Sequence, residues 1–476
     1  MHNPSSPKTP TSLHDLSAVE LIAGFRAGQF SPSEVLQDVL ARVAVWEPHI
    51  KALYAFDPDG ARVVAAASTE RWHKRDPIGP LDGVPTTIKE NIATQGVPVP
   101  LGAATTRLVP APADAPPAAR LREAGAVIFS KTTMPDYGML SSGLSSFHPL
   151  TRNPWDLSQN PGGSSAGAAA AAAAGYGPLH LGTDIGGSVR LPACWCGLVA
   201  LKPNLGRIPT DPPYVGRVAG PMTRTVADAA LMMSTLSRPD SRDGMSLPPA
   251  DIDWTALEKP LGHLRLGLML EAGTGQAPER EVCDIAVQAA RTFEMAGAVV
   301  TEVPGILTRE MLDGLDHFWR ARMWDDLSRL APAERAKALP YILKWAEAGA
   351  RLSGVDVIRG FNATMALRAA AARLFSKLDY VISPVSPVVS FAAELAAPIN
   401  DPDRPFEHIG FTVPWNMAEN PAISINGGFS ERGFPIGLQI VGRRFDDLGV
   451  LGMAKAFENL RGVQRPWPAP PSGSIS

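Results

Sequence analysis

Two glycine-serine clusters and one lysine carry residue types that can do chemistry together. The first cluster is "PGGSSAG", Pro161 to Gly167, and the second is "GTDIGGSVR", Gly182 to Arg190. In the second, Gly186 and Gly187 stand directly before Ser188. Paired glycines let a chain turn its N–H groups toward a substrate carbonyl, because no Cβ blocks the approach. That is what an oxyanion hole needs, and losing one of its donors typically costs about 10²–10³ in rate. Upstream, "LDGVPTTIKENI" sets Lys89 in a short apolar strand with Ile88 and Ile92. Desolvation penalises an ammonium, so a lysine in an apolar site gives up its proton more readily. Neutral, it is a general base that needs no histidine.

Other chemistries fit the same stretches less well. A phosphate loop ends in Gly-Lys-Ser/Thr, and this chain has no Gly-Lys pair. Gly163 to Gly167 matches G-x-S-x-G, which would make Ser165 the nucleophile of an α/β-hydrolase elbow. That elbow needs a strand directly before it, whereas "TRNPWDLSQNP" is polar and bounded by prolines. Cys194 and Cys196 form a single C-x-C, which reads as two packed side chains and not as a metal site. No metal and no cofactor is expected. The net charge of -3 over 476 residues gives no global field to gather nucleic acid or anionic membrane. No window is apolar enough to span a bilayer, and three cysteines suit a reducing compartment, so a cytoplasmic protein is expected.

The elements that must hold these residues alternate between helix and strand. Ser17 with Glu20, and Ser31 with Glu34, fit capping boxes ahead of two helices. Ala126 to Thr132, Asp379 to Val389 and Ile436 to Gly442 read as strands, the second broken by prolines. A helix follows from about Asp446 to Leu460, and the alanine run behind Ser165 predicts a helix packed closely against a sheet. The pattern implies α/β architecture with a mixed or mostly parallel sheet. Residues 1–12 read as a flexible polar tail, while 237–254 and 329–340 read as surface connections. The helical segment 309–354 carries Phe318, Trp319, Trp324, Tyr341 and Trp345. Aromatics so spaced serve either as core or as an apolar lid over a pocket.

Taken in order, "PLDGVPTTIKENI", "KTTMPDYG", "TRNPWDLSQNPGGSSAG", "GTDIGGSVRLPACWCGLVALKP", "GPMTRTVADAA" and "GFPIGLQIVG" resemble the amidase signature family of serine hydrolases. The resemblance covers most of the chain and implies one large domain over residues 1–476, with a central mixed sheet covered by helices on both faces. It also implies a Ser–cis-Ser–Lys triad, in which Ser188 is the nucleophile, Ser164 the bridging serine after a cis peptide bond, and Lys89 the base. The N–H groups of Ile185, Gly186, Gly187 and Ser188 would hold the oxyanion.

Beside the triad, Ser165 and Thr183 would support it, and Asp184 and Arg190 would brace the nucleophile loop. A second reading has Arg190 gripping a substrate carboxylate. Met134, Tyr137, Leu140 and Trp195 supply an apolar pocket, suited to small apolar substrates, aryl amides among them. The expected reaction is hydrolysis of a carbon–nitrogen acyl bond, with carbamate and ester cleavage open to the same triad, by the chain alone or as a homodimer. The alternatives are an amidotransferase subunit that draws ammonia from glutamine or asparagine, a Ser165 esterase, and a silent scaffold. The family's usual Gly-Gly after the two serines is Ala166-Gly167 here. The threonine and glutamine usual in the amidotransferase subunit are Ile185 and Leu191.

Overall fold

Both predicted capping boxes form. The Ser17 and Ser31 hydroxyls accept from the backbone of Glu20 and Glu34, and start the helices Ala18–Ala27 and Pro32–Ile50. The computed structural model describes residues 12–471; of the expected polar tail, all but Ser12 lies outside the described residues.

The strands are β1 (Leu53–Tyr54), β2 (Pro85–Lys89), β3 (Val127–Thr132), β4 (Leu179–Asp184), β5 (Val199–Lys202) and β6 (Val218–Thr223). They continue as β7 (Arg265–Leu268), β8 (Val299–Glu302), β9 (Tyr380–Pro384), β10 (Ala422–Phe429) and β11 (Pro435–Gly442). All belong to one 11-stranded sheet in the order β1-β3-β2-β4-β6-β5-β10-β11-β9-β7-β8. Strand β2 runs parallel to β3 and β4, and β7 parallel to β8 and β9, while the remaining pairs are antiparallel. The expected mixed sheet is therefore present. Strand β9 stops at Pro384, within the stretch where prolines were expected to break it.

Period-two alternation sorts strand side chains onto two faces. Leu181, Leu201, Ile425 and Leu438 pack with the helices Val226–Leu236, Arg280–Met295 and Asp447–Leu460. Val127, Phe129, Ala200 and Met222 point the other way, toward Pro32–Ile50 and the alanine helix Ala166–Ala174. Helices thus cover both faces, as expected.

The alanine helix is buried at every residue. Its small side chains let it lie flat on the strands, and Gly167 lets it come closer still. A Cβ on Gly167 would stand 2.3 Å from the Ala52 carbonyl oxygen and 2.5 Å from the Thr133 amide nitrogen. The methyl of Ala166, where the family usually has glycine, is accommodated and fully buried. Residues 329–340, expected to be only a connection, contain a short helix, Pro332–Arg335, opened by its proline.

Candidate active site

Lys89 and Asp184 stand at the carboxyl ends of two neighbouring parallel strands, β2 and β4, which pair through Ile88 and Leu181. The alanine helix begins between them in space, with Ser164 and Ser165 at its entry. Crevices outside the carboxyl ends of parallel strands are where α/β folds place their ligand sites.

Lys89 is fully buried. Its ammonium nitrogen lies 2.7 Å from Ser164 Oγ, 3.0 Å from Ser165 Oγ and 3.1 Å from Thr183 Oγ1, with no carboxylate among these partners. Burial pulls its pKa down to about 7; Asp184 and Glu90 oppose the shift, and Arg217 adds to it. The result is a lysine poised to be neutral near neutral pH. The Gly163–Ser164 peptide bond is cis, as expected. Ser165 accepts from Lys89 and reaches the Thr183 carbonyl at 3.2 Å, and its own N–H bonds the Ser188 carbonyl at 3.1 Å.

The loop that carries Ser188 hangs on Asp184. This carboxylate folds back to accept from the N–H of Gly187 at 2.8 Å and of Val189 at 3.2 Å. Arg190 approaches the same carboxylate with Nε and Nη2, each at 3.0 Å. The guanidinium then reaches the Thr412 carbonyl, Asn416 Oδ1 and Gln439 Oε1. Asp184 and Arg190 are both wholly buried, so a pair this completely bonded braces the loop as expected. Burial alone would raise the Asp184 carboxyl, but the charge and hydrogen bonds of Arg190 and the Asn416 amide hold it below the usual carboxylate range. The second reading of Arg190, as a grip for a substrate carboxylate, does not hold, because every direction its fork faces is already occupied by protein.

Asp184 also alters the expected set of oxyanion donors. The Gly187 N–H, expected among its donors, is spent on Asp184 Oδ1, because the side chain closes the turn Asp184–Gly187 from inside. The N–H groups of Ile185, Gly186 and Ser188 make no hydrogen bond among the described residues. Gly187 takes φ +127°, and a Cβ there would meet Thr412 Oγ1 at 2.5 Å, so only glycine fits. Ser188 is half-buried and faces a cleft; no bond to its hydroxyl forms among the described residues.

That cleft holds 480 Å³ and is lined by Ser164, Ser188, Thr183 and Asn91 on the chemical side. Met134 and Tyr137 line it, as expected. Leu140 and Trp195 do not: both belong to the apolar core behind the site. Trp195 is turned inward because its indole N–H bonds the Val388 carbonyl at 3.1 Å and its ring meets Phe391 edge-on. The helix Arg309–Ser328 covers the cleft with Trp319, Arg322, Met323 and Asp326, one face of the helix. Trp345, by contrast, is core, packed on Phe406. The aromatic segment therefore divides, with Trp319 lining the cleft and Trp345 in the core.

Sequence reasoning missed Asn91, whose amide donates to Thr183 Oγ1 at 3.0 Å, although its place two residues after Lys89 was a usable signal. It also missed Asn416 and Thr412, which reach the loop from more than two hundred residues away. The charged wall of the cleft, Asp211, Arg217, Arg322 and Asp326, was not anticipated by an apolar pocket.

Residues 34–451 match the Amidase family profile. The chain belongs to the amidase signature family. Among its relatives is the acylamidase of Rhodococcus erythropolis, 34% identical, with 96% of this chain and 97% of that one covered. A glutamyl-tRNA(Gln) amidotransferase subunit of Chloroflexus aurantiacus is 33% identical, with 94% and 97% covered. A bacterial aryl acylamidase of the amidase signature family has a similar solved structure, with a TM-score of 0.87 at 28% identity over 94% of this chain and 96% of the other.

Proposed function

We propose that this amidase-family chain hydrolyses carbon–nitrogen acyl bonds of small molecules through a Ser188 acyl-enzyme. The observation that carries the reading is Lys89, buried, lowered to about 7 and 2.7 Å from Ser164. Neutral Lys89 takes the Ser164 proton as Ser164 takes the proton of Ser188. The Ser188 oxygen attacks the acyl carbon, and the N–H groups of Ile185, Gly186 and Ser188 receive the oxyanion. The leaving nitrogen departs with the proton returned along the same path. Water then enters by that path and releases the acid and free Ser188. Ser165 and Thr183 hold the ammonium in line. Carbamates and esters present the same acyl carbon to the same groups, so they fall within this chemistry. No cofactor is required by any step.

A second reading, as a component of an amidotransferase, is favoured by the relatives that carry that name over nearly their full length. Ile185 and Leu191 argue against it, because the signature of that component usually has threonine and glutamine there. The test is a simple anilide with the purified chain, without partner, ATP or glutamine. Steady hydrolysis is the expected result. Turnover only of glutamine, or only with added partner chains, would establish the second reading instead.

A further inference from the structure

The cleft of the proposed hydrolase holds two arginines that make no ion pair among the described residues. Arg217 enters β6 from a turn closed by its own N–H on the Tyr214 carbonyl at 3.0 Å. Its side chain lines the cleft beside Thr183 and Asn91, the residues that touch the Lys89 network, and it is close enough for its charge to weigh on Lys89. Arg322 comes from the roof helix and lies over the Tyr214 ring at 4.1 Å. Both are half-buried, and each guanidinium is within electrostatic range of the other. Among the described residues neither makes an ion pair, and Arg217 donates no side-chain hydrogen bond. Half-buried Arg42 and Arg461 also lack an ion pair among the described residues, but each donates to backbone carbonyls, and the fully buried arginines are paired. Arg190, Arg207, Arg224 and Arg320 each meet a carboxylate at 3.0 Å or less.

Sheltering a cation without a partner costs free energy, and two cations facing one space cost more. Asp211 and Asp326 line the same cleft but are exposed to water and bond neither arginine. The buried Asp243, which with Asp211 attracts Arg217 from a distance, accepts from the N–H groups of Thr210 and Met245 instead. A planar guanidinium is suited to a carboxylate, which it binds through paired N–H donors.

We propose that Arg217 and Arg322 are specificity residues that bind a carboxylate carried by the substrate, so that the preferred substrates are amides of anionic molecules. The carboxylate completes the ion pairing that the fold leaves open and anchors the scissile bond beside Ser188. This inference rests on the hydrolase reading for its site, but its test separates the two.

The test uses matched 4-nitroanilides of glutaric and valeric acid, which place a carboxylate or a methyl at the end of the acyl chain. A second pair, 4-acetamidobenzoate and acetanilide, places the charge on the amine side. The wild-type chain is expected to favour the charged member of at least one pair in kcat/KM by tenfold or more. Arg217→Gln and Arg322→Gln are each expected to reduce that charged-to-neutral ratio at least tenfold, chiefly through KM. Arg217→Lys should restore part of it, and raising ionic strength on the wild type should erode it. The lysine variant and the salt series decide the matter even where a glutamine variant folds poorly.

Equilibrium binding of the same charged probes to Ser188→Ala, with and without Arg217→Gln, stands apart from turnover. Tight binding that Arg217→Gln abolishes, with no cleavage by the wild type, would sink the hydrolase reading and keep the carboxylate site. Charged probes that bind and turn over no better than their neutral twins, or a ratio indifferent to both arginines, would overturn the proposal.

Discussion

At the scale of single residues, the catalytic proposal turns on one proton. Lys89 has three hydroxyl neighbours and no carboxylate in contact, so no ion pair offsets the desolvation of its charged form. Desolvation dominates the attraction of Asp184 and Glu90, and the pKa settles at about 7. The neutral, active form then makes up about a tenth of the protein at pH 6 and about nine-tenths at pH 8. On a neutral anilide, kcat/KM should accordingly rise about tenfold over that range and level off above it. A profile flat from pH 6 to 9, with chemistry limiting, would contradict a lysine base. Lys89 and the glycines before Ser188 were readable from residue types alone, whereas the part given to Ser164 came only from the resemblance of the ordered motifs, the local G-x-S-x-G pattern pointing to Ser165 instead. The loss of the Gly187 N–H to Asp184 was not legible. It depends on how a side chain folds back over its own turn, which residue spacing does not specify. Arg217 and Arg322 were invisible for another reason: what distinguishes them is the absence of partners in three dimensions.

At the scale of elements, the alanine helix is the part that sets the two serines against the lysine. Ordinarily Gly→Ala within a helix gains up to about 1 kcal/mol from propensity. At Gly167 the added methyl would press on backbone atoms of Ala52 and Thr133, neither of which has a flexible end to move aside. Overpacking of that kind costs about 1–3 kcal/mol, so the clash outweighs the propensity. Gly167→Ala should lower unfolding free energy in urea by a net of about 1–2 kcal/mol, and kcat should fall because Ser164 and Ser165 shift with the helix. A neutral or stabilising outcome would show that the helix can relax away from the strands. The capped helices and the strands β3, β9 and β11 were readable because their signals are local. The order of strands was not, since pairings such as β5 with β10 join segments far apart in the chain. The short helix Pro332–Arg335 escaped because a four-residue helix has no periodicity to detect.

At the scale of the whole molecule, one sheet gathers the parts of the site from across the chain. Lys89 arrives on β2 and Asp184 on β4, the clamp on Arg190 comes from residues 412–439, and the roof comes from Arg309–Ser328. Among the described residues no helix is long and apolar enough to cross a membrane. The family membership was readable from the ordered motifs, while the charged wall of the cleft required the fold, because its members lie on a loop, a strand entrance and a helix. The central claim is that Ser188, and not Ser165 of the G-x-S-x-G match, carries the acyl group. It is tested most directly by trapping the enzyme with a fluorophosphonate and mapping the modified peptide by mass spectrometry. A single adduct on Ser188, lost in Ser188→Ala and retained in Ser165→Ala, is the result expected; an adduct on Ser165 with Ser188 unmodified would contradict the account.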